Sequence, residues 1–281
     1  MFTLHNGDCL QVLSSIPSGS IDAIITDLPY GTTACKWDTV IEFAPMWKEV
    51  KRVLKPNGAF ITTASQPFTS ALIMSNPSMF KCEWIWQKHK GTNFHGVKRE
   101  PLKVHENCIL FSSGKYVYNP QMTNGVPYKK RGSHNIRKEN SLFPNKVVGY
   151  AKDFDSSKRY PVSVQYFSNH NQKRNSLHPT QKPVALYEYL IKTYTNEGET
   201  VLDIAMGSGT TIEAAERTWR NSIGIEKDEG IFQSAVLRLN SYTPSNNRLH
   251  WTVGDSPDLP SQSTLEGFTA PEADTTPPAS Q

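Results

Sequence analysis

Asp27, Leu28, Pro29 and Tyr30 close a run of apolar, β-branched residues, "IDAIIT", and Gly31 follows them. A buried strand leaving for a loop needs only the proline or the glycine. An acid and an aromatic ring held beside them point to chemistry. An exocyclic amine on adenine or cytosine is a poor nucleophile, because its lone pair is delocalised into the ring. A carboxylate at Asp27, helped by the backbone carbonyl of Leu28, can accept the two N–H bonds. That draws the nitrogen towards tetrahedral geometry and aims its lone pair at an electrophilic methyl. Pro29 stiffens the turn, and the ring of Tyr30 offers a face on which a base can stack. Such stacking is worth on the order of 1–3 kcal/mol and offsets part of the cost of flipping a base out of a duplex.

A second constellation lies far along the chain. "VLDIAMGSGTT" reads as a strand, a turn through Gly207 and Gly209, and a helix start. Glycines there let the backbone turn tightly and let a ligand lie against amides at a helix N-terminus. Asp203 ends the strand, where an acid can take the ammonium group of an amino-acid ligand. Glu226 ends the following strand, "SIGIEK", where a carboxylate can accept both hydroxyls of a ribose. A dinucleotide fingerprint would place glycine three residues after Gly209, but Ile212 stands there, and no lysine follows to make a phosphate loop. The pocket therefore suits a nucleoside with a zwitterionic tail and no phosphate, which is the description of S-adenosylmethionine.

Together these residues resemble a known family. Asp27-Leu28-Pro29-Tyr30 is similar to the DPPY signature of DNA amino-methyltransferases, and "MGSGTT" to their cofactor glycine motif. "HPTQKP" (His178 to Pro183) resembles the segment that precedes the glycine motif in the β group of that family. The order of target motif, basic insertion, "HPTQKP" and glycine motif is the β-group order, found in restriction–modification and phage enzymes. The resemblance covers roughly residues 1–242. It implies an α/β fold: a Rossmann-like S-adenosylmethionine-dependent methyltransferase sheet, circularly permuted, with an inserted basic target-recognition lobe. It implies that Asp27, the Leu28 carbonyl, Pro29 and Tyr30 handle the flipped base. Asp203, Met206, Gly207, Ser208, Gly209, Thr210 and Glu226 would hold the cofactor. Asp8, with Cys9 beside it, looks like the family acid that accepts the cofactor adenine's amine. Thr180 and Lys182 would lie near the methionine carboxylate. Leu28 departs from the usual first proline of the signature, and Ala205 stands where the family often has phenylalanine.

The elements that must position these residues alternate in the α/β manner. "FTLHN", "IDAIIT" and "AFITTAS" read as strands, separated by helical patterns in "GDCLQVLSS" and "FAPMWKEVKRVLK", with "PNG" stopping the second. "FTSALIMSN" is a further helix, and "CEWIWQK" and "NCILFSS" read as a strand pair. After residue 175 the alternation resumes through "VALYEYLIKTYTN", "TVLDIAM", "TTIEAAERTW", "NSIGIEK" and "EGIFQSAVLRLNSY". This rhythm predicts a parallel sheet with helices on both faces. The organisation is thus a catalytic half over 1–112, an insertion over 113–175, a cofactor-binding half over 176–258, and a Pro/Ser/Thr-rich tail over 259–281 expected to be disordered. "TVGDSP" near the end echoes "LHNGDC" near the start, though a Gly-Asp pair is common enough for chance to account for it.

Net charge is +4 over 281 residues, but residues 113–175 hold twelve Lys/Arg against three Asp/Glu, a net of +9. The remainder (+4 less +9) carries −5. A basic segment inside a mildly acidic chain suits a polyanion, and double-stranded DNA is the expected partner. Lys129, Lys130, Arg131, Arg137, Lys138, Lys173 and Arg174 are the candidate DNA contacts, interleaved with aromatic residues of which most would form the lobe's own core. The four cysteines are too scattered for a metal knuckle or a disulfide frame, and no metal site is expected. No apolar stretch approaches the roughly 20 residues of a membrane span, and the start shows no secretory signal, so a cytoplasmic protein is expected. The resemblance also makes a homodimer plausible.

The expected activity is methyl transfer to the exocyclic N6 of a flipped adenine in duplex DNA, because an acid opens the target motif. Cytosine-N4 enzymes more often open with serine. A cytosine-C5 enzyme needs a cysteine after proline, and none of the four follows one. An RNA amino-methyltransferase, a nicotinamide-dependent oxidoreductase and a non-catalytic nucleic-acid-binding module are the competing readings. Ile212 counts against the oxidoreductase, and the intact Asp27 and glycines count against the inert module.

Overall fold

The computed structural model describes residues 1–32, 38–127, 157–169, 181–241 and 251–253. Thr180, the seven candidate DNA contacts and the tail after 259 lie outside the described residues. The strands are β1 (Phe2–Asn6), β2 (Ile21–Thr26), β3 (Leu54–Ala64), β4 (Phe80–Gln87), β5 (His105–Phe111), β6 (Thr123–Asn124), β7 (Lys158–Arg159), β8 (Val164–Tyr166), β9 (Thr200–Asp203), β10 (Asn221–Glu226) and β11 (Trp251–Val253). The helices are α1 (Cys9–Ser15), α2 (Phe43–Val53), α3 (Phe68–Ser75), α4 (Val184–Tyr194), α5 (Thr210–Arg217) and α6 (Glu229–Ser241).

Nine strands form one sheet in the order β11-β1-β10-β9-β2-β3-β5-β4-β8, and β6 and β7 form a separate two-stranded ribbon. The six strands from β11 to β3 are parallel to their neighbours. β5 runs antiparallel to both β3 and β4. The expected parallel sheet is therefore mixed at one side, because "CEWIWQK" and "NCILFSS" form the strand pair. From β9 the chain steps outward to β10, while from β2 it steps the other way to β3. The β9/β2 boundary is thus a topological switch point, where ligands of open α/β sheets bind beyond the strands' carboxyl ends.

The period-two alternation of β2 explains why its apolar residues Ile21, Ala23, Ile24 and Ile25 fall on both faces. Ile24 packs into the layer with Leu13, Met46, Trp47 and Val50 from α1 and α2. Ala23 and Ile25 face the opposite layer, with Leu186, Leu190 and Ile191 of α4 and Ala214 of α5. With both faces covered, the strand has no polar side to show. Two differences from the sequence reading have local causes. β3 begins at Leu54 immediately after α2, and the "PNG" stretch is absorbed by a register shift against β2 between Ile21 and Ala23. Within the interval read as an insertion, β8 joins the main sheet beside β4, pairing Ile85 with Val164. Of the "TVGDSP" echo only Thr252 and Val253 lie within the described residues, on β11, which pairs in parallel with β1 through Thr252↔Thr3 and Val253↔Leu4, while 254–257 lie outside them. Among the described residues no helix is long and apolar enough to cross a membrane.

Trp47 anchors α2 to the sheet. Its ring lies 5.1 Å from that of Phe60 and 4.9 Å from that of Phe111, and its indole N–H donates to Ser75 Oγ at 2.8 Å. Trp47→Ala should destabilise the protein by about 3–5 kcal/mol through the cavity it leaves. Trp47→Phe, which loses mainly the hydrogen bond, should cost about 1–2 kcal/mol. Urea titration of both variants checks the order; equal losses would contradict this packing account.

Candidate active site

Two loops at the carboxyl edge of the sheet, one after β2 and one after β9, open onto a single cleft of about 1280 Å³. Asp27, Leu28, Pro29 and Tyr30 line it from one side, and Met206, Gly207, Ser208 and Thr210 from the other. Asp8, Lys182, Asp203 and Glu226 face the same space, as does Cys9. Gly209, expected at the ligand, does not line the cleft. It starts α5 with φ +79°, and a Cβ there would meet Leu239 at 3.0 Å, so its role is to make the turn and let α6 close in behind.

The second half of the cleft is built from buried acids. Asp203 sits at the end of β9, where its Oδ1 accepts the Thr26 hydroxyl at 2.7 Å and the Ala205 N–H at 3.1 Å; its Oδ2 accepts the Thr211 hydroxyl. Burial pushes this carboxyl up to about 6, against the pull of those donors. Glu226 accepts the Gly207 N–H at 3.0 Å and the Asp228 N–H at 2.8 Å, one on each oxygen, which leaves lone pairs on both for a ligand. Burial raises it too. Asp8 caps α1 by accepting the Leu10 N–H at 3.0 Å and pairs with Lys227 at 3.0 Å. Burial works against its ionisation, but the Lys227 ammonium and backbone donors outweigh that and hold it below the usual range.

The residues fit a donor-rich, phosphate-free ligand. A Cβ on Gly207 would meet nothing within 4 Å, so the loop leaves a cradle there. The buried Thr210 hydroxyl, which lines the cleft, has no hydrogen-bond partner. Asp8, Asp203, Glu226, Asp228 and Glu229 all line this half, and Lys227 is already paired to Asp8.

The first half is built around Asp27. Tyr30 donates its hydroxyl to Asp27 Oδ1 at 2.8 Å, Thr63 donates to the same oxygen, and Lys182 reaches Oδ2 at 2.5 Å. Burial and the neighbouring Asp27 and Glu106 raise the Tyr30 phenol, so it stays a donor. The Tyr30 ring stacks on Phe68, with centroids 5.2 Å apart and planes 27° from parallel. Asp38 holds the loop from behind, accepting the Gly31 and Thr32 N–H groups at 2.9 Å each. Lys182, implied by resemblance to lie near a cofactor carboxylate, pairs here with Asp27 and, at 3.5 Å, with Glu106.

A family model described as DNA methylase, for N6/N4 enzymes, matches residues 21–237. The chain belongs to this DNA methylase family. It is 31% identical over 250 residues to the Type II methyltransferase M.HpaI of Haemophilus parainfluenzae, across 83% of this chain and 73% of that one. It is 27% identical over 257 residues to M1.MboII of Moraxella bovis, across 84% and 96%. Among solved structures, the complex of M1.HpyAVI with S-adenosylmethionine (SAM) matches at TM-score 0.59 and 24% identity, over 85% of this chain and 100% of that one. The cytosine-N4-specific PvuII methyltransferase matches at TM-score 0.60 and 19% identity, over 88% and 90%. The expected Rossmann-like methyltransferase fold is the one observed, and a restriction–modification-type DNA amino-methyltransferase is the family it serves.

Several residues of this DNA methylase site escaped the sequence reading. Thr26 and Thr63 are strand residues with nothing in the sequence to separate them from other β-formers. Phe68 opens α3. Glu106 and Lys88 come from the strand pair: β5 is antiparallel, so its first residues reach the same edge as the last residues of β2 and β3. Arg238 of α6 donates to the Ser208 carbonyl at 2.5 Å and to Glu213, bracing the glycine loop from outside the cleft.

Asp203 makes stability depend on pH in a defined direction. Below about pH 4 the carboxyl is protonated in folded and unfolded chains alike. Between about pH 4 and about 6 the unfolded chain ionises while the buried folded carboxyl stays protonated, so stability falls across that window and levels off above it. The loss amounts to roughly 3 kcal/mol. Asp203→Asn should flatten this fall. Urea midpoints measured at steps between pH 4 and 7.5 check it, and a variant as steep as the parent would contradict the assignment.

Proposed function

We propose that this DNA methylase methylates the exocyclic N6 of an adenine flipped out of duplex DNA, with S-adenosylmethionine as donor. The observation that carries the reading is the shared cleft: a base-handling loop after β2 and a cofactor loop after β9 open onto one space. Asp203, Glu226, Asp8 and the amides and hydroxyl around Gly207, Ser208 and Thr210 hold the cofactor, which supplies an electrophilic methyl when bound. Asp27 and the Leu28 carbonyl accept the two N–H bonds of the target amine and orient its lone pair. Pro29 keeps that loop rigid, while the Tyr30 ring supports the base. In this reading the Asp27 carboxylate takes the proton released on methylation.

The choice of adenine rests on the acid that opens the motif. The fold does not make that choice, since a cytosine-N4 enzyme shares it. The basic interval 113–175 supplies phosphate contacts for a duplex in this reading, and Lys158 and Arg159 on the exposed ribbon belong to it. The protein works in the cytoplasm, and a homodimer would present two such clefts.

Incubation with tritiated S-adenosylmethionine and unmodified plasmid DNA, followed by digestion to nucleosides, should place label in N6-methyl-2′-deoxyadenosine. Label in N4-methylcytosine would correct the base, and DNA binding without label would overturn the enzyme reading. Asp27→Ala should abolish transfer with cofactor affinity changed less than about two-fold. Tyr30→Ala should cost about 5- to 150-fold in kcat/KM, the equivalent of one lost stacking contact. Wild-type transfer by Asp27→Ala would remove the base pocket from this loop.

A further inference from the structure

The Lys182 ammonium lies where the reading above puts the target amine. Asp27 Oδ1 is filled by two hydroxyl donors, from Tyr30 and Thr63, so an entering amine has only Oδ2. Lys182 holds that oxygen at 2.5 Å. Its Nζ also stands 5.6 Å from the centre of the Tyr30 ring. Phe68 stacks on that ring too, which narrows the ways a base can approach it. Oδ2 keeps a second lone pair, but a base bonded to it and stacked on Tyr30 meets this cation at both points and competes with it for the same space.

A destination for the cation already exists. Glu106 Oε2 is 3.5 Å from the same Nζ, and it is buried with no hydrogen-bond partner. Its other oxygen is bonded to the buried Lys88. A shift of about 0.7 Å would bring Lys182 to the usual length of a charge-assisted bond with Oε2. Both carboxylates and both lysines are largely buried, with side-chain exposures of 27% for Asp27, 10% for Lys182, 12% for Glu106 and 5% for Lys88. Stranding any of these charges would be costly, whereas trading one carboxylate for another keeps each ammonium paired.

We propose that Lys182 is a placeholder for the target amine, resting on Asp27 while the base pocket is empty and passing to Glu106 when the base enters. Glu106 is then a positioning residue, which acts through Lys182 and does not touch the substrate. The exchange frees Asp27 Oδ2 as an acceptor only when an amine arrives to take it, and it keeps the empty pocket from holding an unpaired buried carboxylate. The proposal rests on the reading of Asp27 and Tyr30 as the base pocket. It departs from the role near the cofactor tail that the resemblance implies for Lys182.

The test uses the full chain, tritiated S-adenosylmethionine and unmodified plasmid DNA, with steady-state kcat and KM for DNA and calorimetric affinity for the cofactor. Glu106→Gln removes the refuge. It should lower kcat/KM for DNA at least 20-fold while cofactor affinity stays within two-fold, which also reports a folded protein. Adding Lys182→Met removes the cation that must move, and should recover at least five-fold of that loss. A double variant no better than Glu106→Gln, or a Glu106→Gln enzyme within two-fold of the parent, overturns the exchange. Should Glu106→Gln fail to bind cofactor, Lys182→Met alone decides. A lower KM for DNA at unchanged cofactor affinity supports the placeholder; an unchanged or higher KM, or cofactor binding weakened ten-fold, overturns it. Failure of the underlying reading looks different: Asp27→Ala would then still transfer methyl, whatever the Glu106 variants do.

Discussion

The Thr26 hydroxyl donating to Asp203 Oδ1 joins the two halves of this molecule. Thr26 is the last residue of β2 and Asp203 the last of β9, and the two strands are parallel neighbours through Ala23↔Val201 and Ile24↔Leu202. Parallel neighbours end at the same edge of a sheet, so the loops that follow them must open on the same side. A separation of 177 residues along the chain is therefore no obstacle to a shared cleft. The hydrogen bond sets the register at the edge itself, one residue before Asp27. Chain order is then nearly irrelevant to the site, which is why a permuted order of motifs can serve the same chemistry.

The two halves of the cleft are electrostatically different. On the β9 side five acids line the space, two of them raised by burial, and the Lys227 ammonium beside them is already paired to Asp8. On the β2 side carboxylates and ammonium groups alternate: Asp27, Lys182, Glu106, Lys88. The first arrangement favours a ligand that brings donors and positive charge. The second is already neutralised, so it favours a neutral ligand with N–H donors and a flat ring. Burial lowers the Lys182 charge state's stability, but Asp27 and Glu106 more than reverse this and hold the ammonium protonated well above its ordinary range. Lys182 therefore keeps its charge near neutrality.

The sequence reading reached what a single strand can reveal. "IDAIITDLPY" announces a buried strand and its functional exit, and "VLDIAMGSGTT" does the same for β9 and α5. Each of the six α-helices among the described residues was read as helical from the sequence. What it could not reach depended on pairing between strands distant in sequence. Glu106 is part of "HENCILF", and nothing in those letters says that β5 runs antiparallel and delivers its first residues to the edge where the cleft opens. β8 is three residues long and gains its place only from β4. Lys182 was legible as a site residue from the "HPTQKP" segment, yet its partners were not, because an ammonium can take whichever carboxylate the fold brings near. Gly209 shows the reverse limit: a glycine in a ligand motif can be required by the helix packed behind it.

Buried acids make the empty cleft less stable than it could be. Asp203 is surrounded by donors, but they do not fully replace the water it has lost, and its carboxyl sits near 6 as a result. An ammonium placed against it would favour the ionised form and reverse much of that shift. The cost carried by the empty pocket thus becomes binding energy for a cationic ligand, and bound ligand in turn stabilises the fold. The same logic runs in the other half, where Asp27 keeps an ammonium partner from within the chain. One half of the cleft is left strained for its cofactor, while the other is kept satisfied by a side chain that an arriving amine can replace.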